Sequence, residues 1–98
     1  MNFSLEELET SLFAIEIQRI FREFDLDIQR SLVQFLRDEF GAFDDEFSII
    51  VEELLESLEN DLEDLEPNVD YLMTRFDVTK INMVLQAISD YMKDVFYD

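Results

Sequence analysis

Cysteine and histidine are absent from this 98-residue chain, and glycine and proline occur once each. Without cysteine there is no disulfide framework, thiolate zinc site or thiol nucleophile. Without histidine the chain lacks the commonest general base and the Glu-x-x-His pairs of di-iron helical bundles. One Gly and one Pro cannot supply the tight turns of a many-stranded sheet, and no Gly-rich phosphate loop exists. No apolar run approaches the ~20 residues that span a bilayer, and MNFSLEELET has no basic stretch followed by an apolar one, as a signal peptide would. These absences predict a cytoplasmic protein that is not an enzyme and carries no cofactor.

Basic residues are also scarce: seven Lys and Arg stand against 25 Asp and Glu, a net charge of −18. Hydrophobic residues nevertheless make up 48% of the chain, with ten Phe and three Tyr, so the composition is that of a folding chain rather than a disordered acidic one. Its length suits one core, hence a single acidic helical domain over residues 1–98. Like charge at this density opposes compaction. The field it creates rejects nucleic acid and anionic membrane, and attracts basic protein surfaces.

Apolar positions recur mostly at three and four, which predicts an all-α fold: a small bundle of four main helices plus one short helical turn. Ser4 followed by Glu7 fits a capping box, after which Leu5, Leu8, Leu12, Phe13, Ile17, Ile20, Phe21 and Phe24 mark the inner face of a helix over 5–24. Asp25 and Asp27 can cap a second helix, with Ile28, Leu32, Phe35, Leu36 and Phe40 on one face and Gly41 as its stop. Asp44 caps a third, predicted to run until Glu66 precedes Pro67. From Asn68 a short turn carries Tyr71, Leu72 and Phe76. Asp77 or Thr79 then caps a last helix containing Ile81, Val84, Leu85, Ile88, Met92, Val95 and Phe96.

The acidity is unevenly spread. Residues 1–66 hold 20 acids and four bases, whereas residues 67–98 hold five and three. No base falls between Arg37 and Arg75, an interval with 14 acids, so helix three carries none of its own. Its segment VEELLESLENDLEDLE, residues 51–66, has eight carboxylates. Val51, Leu55, Leu58, Leu62 and Leu65 step by four and three along one stripe. Glu52, Glu56, Glu59, Glu63 and Glu66 repeat those steps one residue later, about 100° around the helix. Glu53, Asp61 and Asp64 widen this face, and Asp44, Asp45 and Glu46 extend it at the helix start.

Glutamates at i, i+4 repel one another by a few tenths of a kcal/mol per pair, so a helix selected only for stability would place Lys or Arg there. Successive members of the stripe lie ~5 Å apart along the axis. A DNA strand carries a phosphate about every 3.4 Å, a spacing of the same order. The alternative is a solvated face that favours solubility, in which Arg19, Arg22, Arg30 and Arg37 would fold against helix three and neutralise it.

Other constellations carry less. Asp25 with Asp27, or Asp44 with Asp45 and Glu46, offer oxygen ligands, but the EF-hand spacing with its sixth-position Gly is missing and no metal site is expected. LMTRFDVTKINMVLQAI, residues 72–88, has a loose helix-turn-helix outline without the turn Gly and reads as core. Phe13, Phe21, Phe24, Phe35, Phe40, Phe43 and Phe47 lack the positive groove of a base-stacking platform and also read as core, Phe43 and Phe47 flanking the start of helix three. Tyr91, Phe96 and Tyr97 fit either the core or a dimer contact.

In size, charge and the carboxylate pattern of residues 44–66 the chain resembles the small acidic DNA-mimic proteins used mainly by phages, a class that includes anti-restriction proteins, anti-CRISPR proteins and inhibitors of uracil-DNA glycosylase. The resemblance implies an inhibitor that occupies the nucleic-acid-binding groove of a basic host protein, such as a defence nuclease, CRISPR effector or nucleoid protein, in the host cytoplasm. Glu52, Glu56, Glu59, Glu63 and Glu66 would stand in for phosphates, helped by Asp44, Asp45, Glu46, Glu53, Asp61 and Asp64. The chain would bind neither nucleic acid nor membrane directly. A second expectation is a helical adaptor or assembly protein that binds its partner through an apolar surface while the acidic face is only solvated. A homodimer fits either.

Overall fold

The structure, a computed structural model, describes residues 4–40, 45–60 and 65–97, and of residues 60, 96 and 97 the backbone only. The described residues form an all-helical bundle of five helices: α1 (Leu5–Glu23), α2 (Leu26–Phe40), α3 (Asp45–Asn60), α4 (Leu65–Met73) and α5 (Val78–Tyr97). Four are long and α4, of nine residues, is short. Ser4 caps α1 as expected, its Oγ accepting the Glu7 N–H at 3.2 Å and donating to the Glu7 carboxylate, so one half of the capping box is present. Asp77 rather than Thr79 caps α5, its Oδ1 accepting the Thr79 N–H at 2.9 Å. At the α1–α2 corner Gln29 Nε2 donates to the carbonyls of Phe21 and Phe24, both at 3.0 Å, and the Phe21 carbonyl also accepts the Phe24 N–H at 3.2 Å, so acceptors at the end of α1 are satisfied.

α5 packs against each of the other four helices, while α1 lies against α4, and α3 against both α2 and α4. Ile81, Val84, Leu85 and Ile88 on α5 are fully buried with Ile50, Leu54 and Leu55 of α3, Leu36 of α2, and Leu65, Val69 and Leu72 of α4. The segment with a helix-turn-helix outline therefore spends most of its apolar residues on the core, with Met83 left exposed. Phe21, Phe40 and Phe47 are buried, Phe13, Phe24 and Phe35 half-buried, and Phe43 lies outside the described residues. Phe47 stacks on Phe40 with centroids 5.6 Å apart, and Tyr91 packs on Phe35 at 4.9 Å, which makes Tyr91 a core-edge residue.

Two sequence expectations need correction. The third helix does not run to Glu66: α3 spans Asp45–Asn60, residues 61–64 lie outside the described residues, and Leu65 and Glu66 belong to α4. Carboxylates oppose the negative C-terminal end of a helix, and α3 has no base in its last turn to offset them. Pro67, read as a stop, instead occupies the first turn of α4, where its missing N–H costs nothing. A buried acceptor from α1 fixes this start, because Gln18 Oε1 takes the Leu65 N–H at 2.8 Å. Asn68 Nδ2 then ties α4 to α3 through the Glu53 carbonyl at 2.9 Å and the Ser57 hydroxyl.

The second correction concerns α1, whose expected inner face contained Leu5, Leu8 and Leu12. These are 73%, 48% and 65% exposed. The buried face consists of Thr10, Ser11, Ala14, Ile17, Gln18 and Phe21. The apolar residues of α1 span too wide an arc for one contact, and polar residues with specific partners hold the inner side. Thr10 donates to Asn82 Oδ1 on α5 at 2.9 Å, and Ser11 to Asp70 on α4. Buried polar groups with partners of this kind fix one orientation of the helix.

Candidate partner-binding surface

α3 turns Phe47, Ile50, Val51, Leu54, Leu55 and Leu58 into the core, with Ser57 beside them. One consequence follows from 3.6 residues per turn: Glu52, Glu56 and Glu59 project together on the outer side, and all three are exposed. Asp45 and Glu46 are exposed in the first turn, where negative charge favours the helix dipole. Glu53 is half-buried at the α4 contact, and Glu66 is half-buried on α4. Of the remaining expected site residues, Asp44, Asp61, Glu63 and Asp64 lie outside the described residues, as does Leu62 of the apolar stripe. The structure thus brings together Glu52, Glu56 and Glu59 on one helix face and places Glu66 on another element.

Bases reach this face from neighbouring helices. Arg37, near the end of α2, straddles two turns of α3, with Nε 3.1 Å from Glu52 Oε1 and an Nη 3.8 Å from Glu59 Oε2. The Glu52 hydrogen bond, helped by the negative potential of both glutamates and opposed by partial desolvation, raises the Arg37 pKa. Lys80, at the start of α5, lies 2.7 Å from Glu46 Oε2 and 5.2 Å from the centre of the Phe47 ring. Arg37, one of the four arginines expected as neutralising partners, reaches this face, and Lys80, which was not foreseen, joins it. Its signal was faint: a lone Lys at the start of a helix, 34 residues away from its partner.

No protein-family model, curated protein or solved structure matches this chain. The site is therefore read from its own chemistry. Exposed Arg–Glu and Lys–Glu pairs contribute roughly 0–1 kcal/mol each, and a competing guanidinium or ammonium on a partner can replace them at little cost. The α3 face is an ordered set of acceptors with a modest internal counter-charge. Among the described residues no cluster of three or more potential metal ligands occurs, and no helix is long and apolar enough to cross a membrane.

Sequence reasoning also missed a second exposed surface. Leu5, Leu8, Leu12 and Ile15, the last 42% exposed, step by three, four and three along the outer side of α1. That heptad-like spacing was visible, but a stripe of this kind is normally core, and its outward orientation depends on the partners of Thr10, Ser11 and Gln18.

Proposed function

We propose that this protein is an inhibitor of the DNA-mimic type, which occupies the basic nucleic-acid-binding groove of another protein with the outer face of α3. The observation that supports it is the exposed row of Glu52, Glu56 and Glu59 on a helix whose opposite side is anchored in the core. Such carboxylates hold their spacing as those of a flexible tail would not, so little ordering entropy is lost on binding. Asp45 and Glu46 extend the row toward the helix start. Arg37 restrains Glu52 and Glu59 and yields them to arginines or lysines of the target.

The test is capture from a bacterial lysate on immobilised protein at low and at ~0.5 M salt, with and without nuclease and competing DNA. The expected result is a nucleic-acid-binding protein that competing DNA displaces, that high salt releases, and that the triple change E52Q/E56Q/E59Q fails to retain. A partner that binds together with DNA overturns the proposal. The adaptor reading rests on the other surface, the outward apolar stripe of α1, and predicts capture that survives ~0.5 M salt and is lost in L8Q/L12Q.

A further inference from the structure

The outer side of α1 has three parallel bands. Leu5, Leu8, Leu12 and Ile15 form the first. Beside it run Glu9 and Glu16, both exposed and seven residues apart. Beyond them an open groove of about 480 Å³ lies between α1 and α5, floored by Phe13, Ile17, Ile20, Phe24 and Met92, with Glu16, Glu23 and Lys93 at its edge. At 100° per residue the glutamate row stands about 70° from the centre of the leucine stripe and about 40° from Phe13 and Ile20 on the other side. A carboxylate row set between two apolar strips is more than a solvated helix face. It offers places for both halves of an amphipathic partner.

Charge decides what can cover it. A second copy is disfavoured on three counts. It brings another net charge of −18. If two α1 helices pair antiparallel across a two-fold axis, the Glu9 and Glu16 flank faces the same flank of the other copy. If they pair in parallel, Arg19, which continues the stripe beyond Ile15, meets itself. An anionic membrane is repelled by the same field. The occupant that satisfies both the apolar strips and the carboxylates has an apolar side with lysine or arginine next to it. A helix of heptad-like pattern matches the three and four spacing of the stripe.

We propose that α1 docks a cationic amphipathic helix of a partner protein. The partner's apolar residues lie along Leu8, Leu12 and Ile15, and an apolar anchor enters the α1–α5 groove. Its lysines or arginines pair with Glu9 and Glu16. This names the partner class of the adaptor reading and rests on it, while using a helix face separate from the carboxylates of α3.

The experiment titrates the full chain with two fluorescent 18-residue synthetic helices that carry Leu at heptad positions a and d, one with Lys and one with Glu elsewhere, at ~0.15 M salt. The Lys peptide is expected to bind with a Kd in the micromolar range, and the Glu peptide not at all. L8Q/L12Q, at exposed positions that leave the core intact, weakens binding roughly tenfold or more, and E9Q/E16Q by about three- to tenfold, with unchanged helical circular dichroism. E52Q/E56Q/E59Q, which removes α3 carboxylates that can hold lysines of their own, weakens it by less than E9Q/E16Q does. If the α3 variant loses as much as E9Q/E16Q, bulk charge rather than α1 is responsible and the proposal falls. It also falls if wild type sediments as a dimer that L8Q/L12Q dissociates, because a second copy then covers the stripe. If the Lys peptide does not bind while L8Q/L12Q still abolishes salt-resistant capture of a lysate protein, the cationic helix is excluded and the adaptor reading alone survives.

Discussion

Gln18 Oε1, buried on the inner face of α1, accepts the backbone N–H of Leu65 at 2.8 Å across 47 residues of sequence. This contact fixes the start of α4, and so places Leu65 and Glu66 on α4 rather than on α3. A helix start leaves four N–H groups without intrahelical partners, and one left unpaired in a dry site costs about 1–3 kcal/mol. Gln18→Ala should therefore lower unfolding free energy by roughly that amount, read as a shift in urea midpoint at constant slope. The Leu65 amide should lose hydrogen-exchange protection beyond the global change. An unaltered midpoint would show that solvent caps α4 equally well.

The core predicts a larger effect. Leu54 is fully buried where α3 meets its neighbours, and removing its side chain leaves a cavity as well as losing transfer energy. Leu54→Ala should cost ~2–5 kcal/mol, a large share of the 5–15 kcal/mol typical of a domain this size. Thermal or urea unfolding measures it. A loss under ~1 kcal/mol would mean that α3 is far less firmly seated than its burial indicates.

Much of the bundle was legible because its signals are local. The Ser4 cap, the Asp77 cap and the period of Ile81, Val84, Leu85 and Ile88 each act within a few turns. The break between α3 and α4 was hidden because Leu62 and Leu65 continue the heptad-like spacing of Val51, Leu55 and Leu58, and Pro67 can stop one helix or start another. The orientation of α1 was hidden for a similar reason: nothing near Thr10 or Ser11 shows that Asn82 and Asp70 await them. The glutamate row of α3 followed from periodicity alone, whereas the approach of Arg37 and Lys80 depends on how the helices pack.

Stability and partner binding should separate at Glu56. It stands four residues from Glu52 and three from Glu59 on an exposed face, so it adds repulsion to both. Glu56→Lys replaces that repulsion with attraction and should raise stability by about 0.3–1 kcal/mol. In the lysate assay the same variant should retain much less of any protein held through α3. A variant that is more stable and yet binds as well as wild type would detach the α3 face from function.

Arg37→Ala gives a complementary outcome. Its ion pairs with Glu52 and Glu59 are exposed, so their loss should cost no more than ~1 kcal/mol. The net charge goes from −18 to −19 and the two glutamates are freed. Capture through α3 should then strengthen or hold steady at low salt. A clear weakening would show instead that Arg37 keeps the carboxylates in the geometry the target reads.

Salt should act on folding and on binding with opposite signs. The net charge of −18 is confined to a body measuring 39 × 27 × 25 Å, so many carboxylates lie within a Debye length of one another at low ionic strength. Raising salt from ~0.02 to ~0.5 M shortens that length and relieves a repulsion that exists mainly in the folded state. The pairs Arg37–Glu52 and Lys80–Glu46 weaken over the same range, but as exposed contacts they contribute little. The melting temperature should therefore rise, by about 4–8 °C for each kcal/mol of repulsion screened in a domain of this length. Partner capture through α3 should fall across the same titration, because there the carboxylates meet opposite charge. A melting temperature that drops with salt would mean that attractive pairs outweigh repulsion, and the excess acidity would then need no explanation from binding.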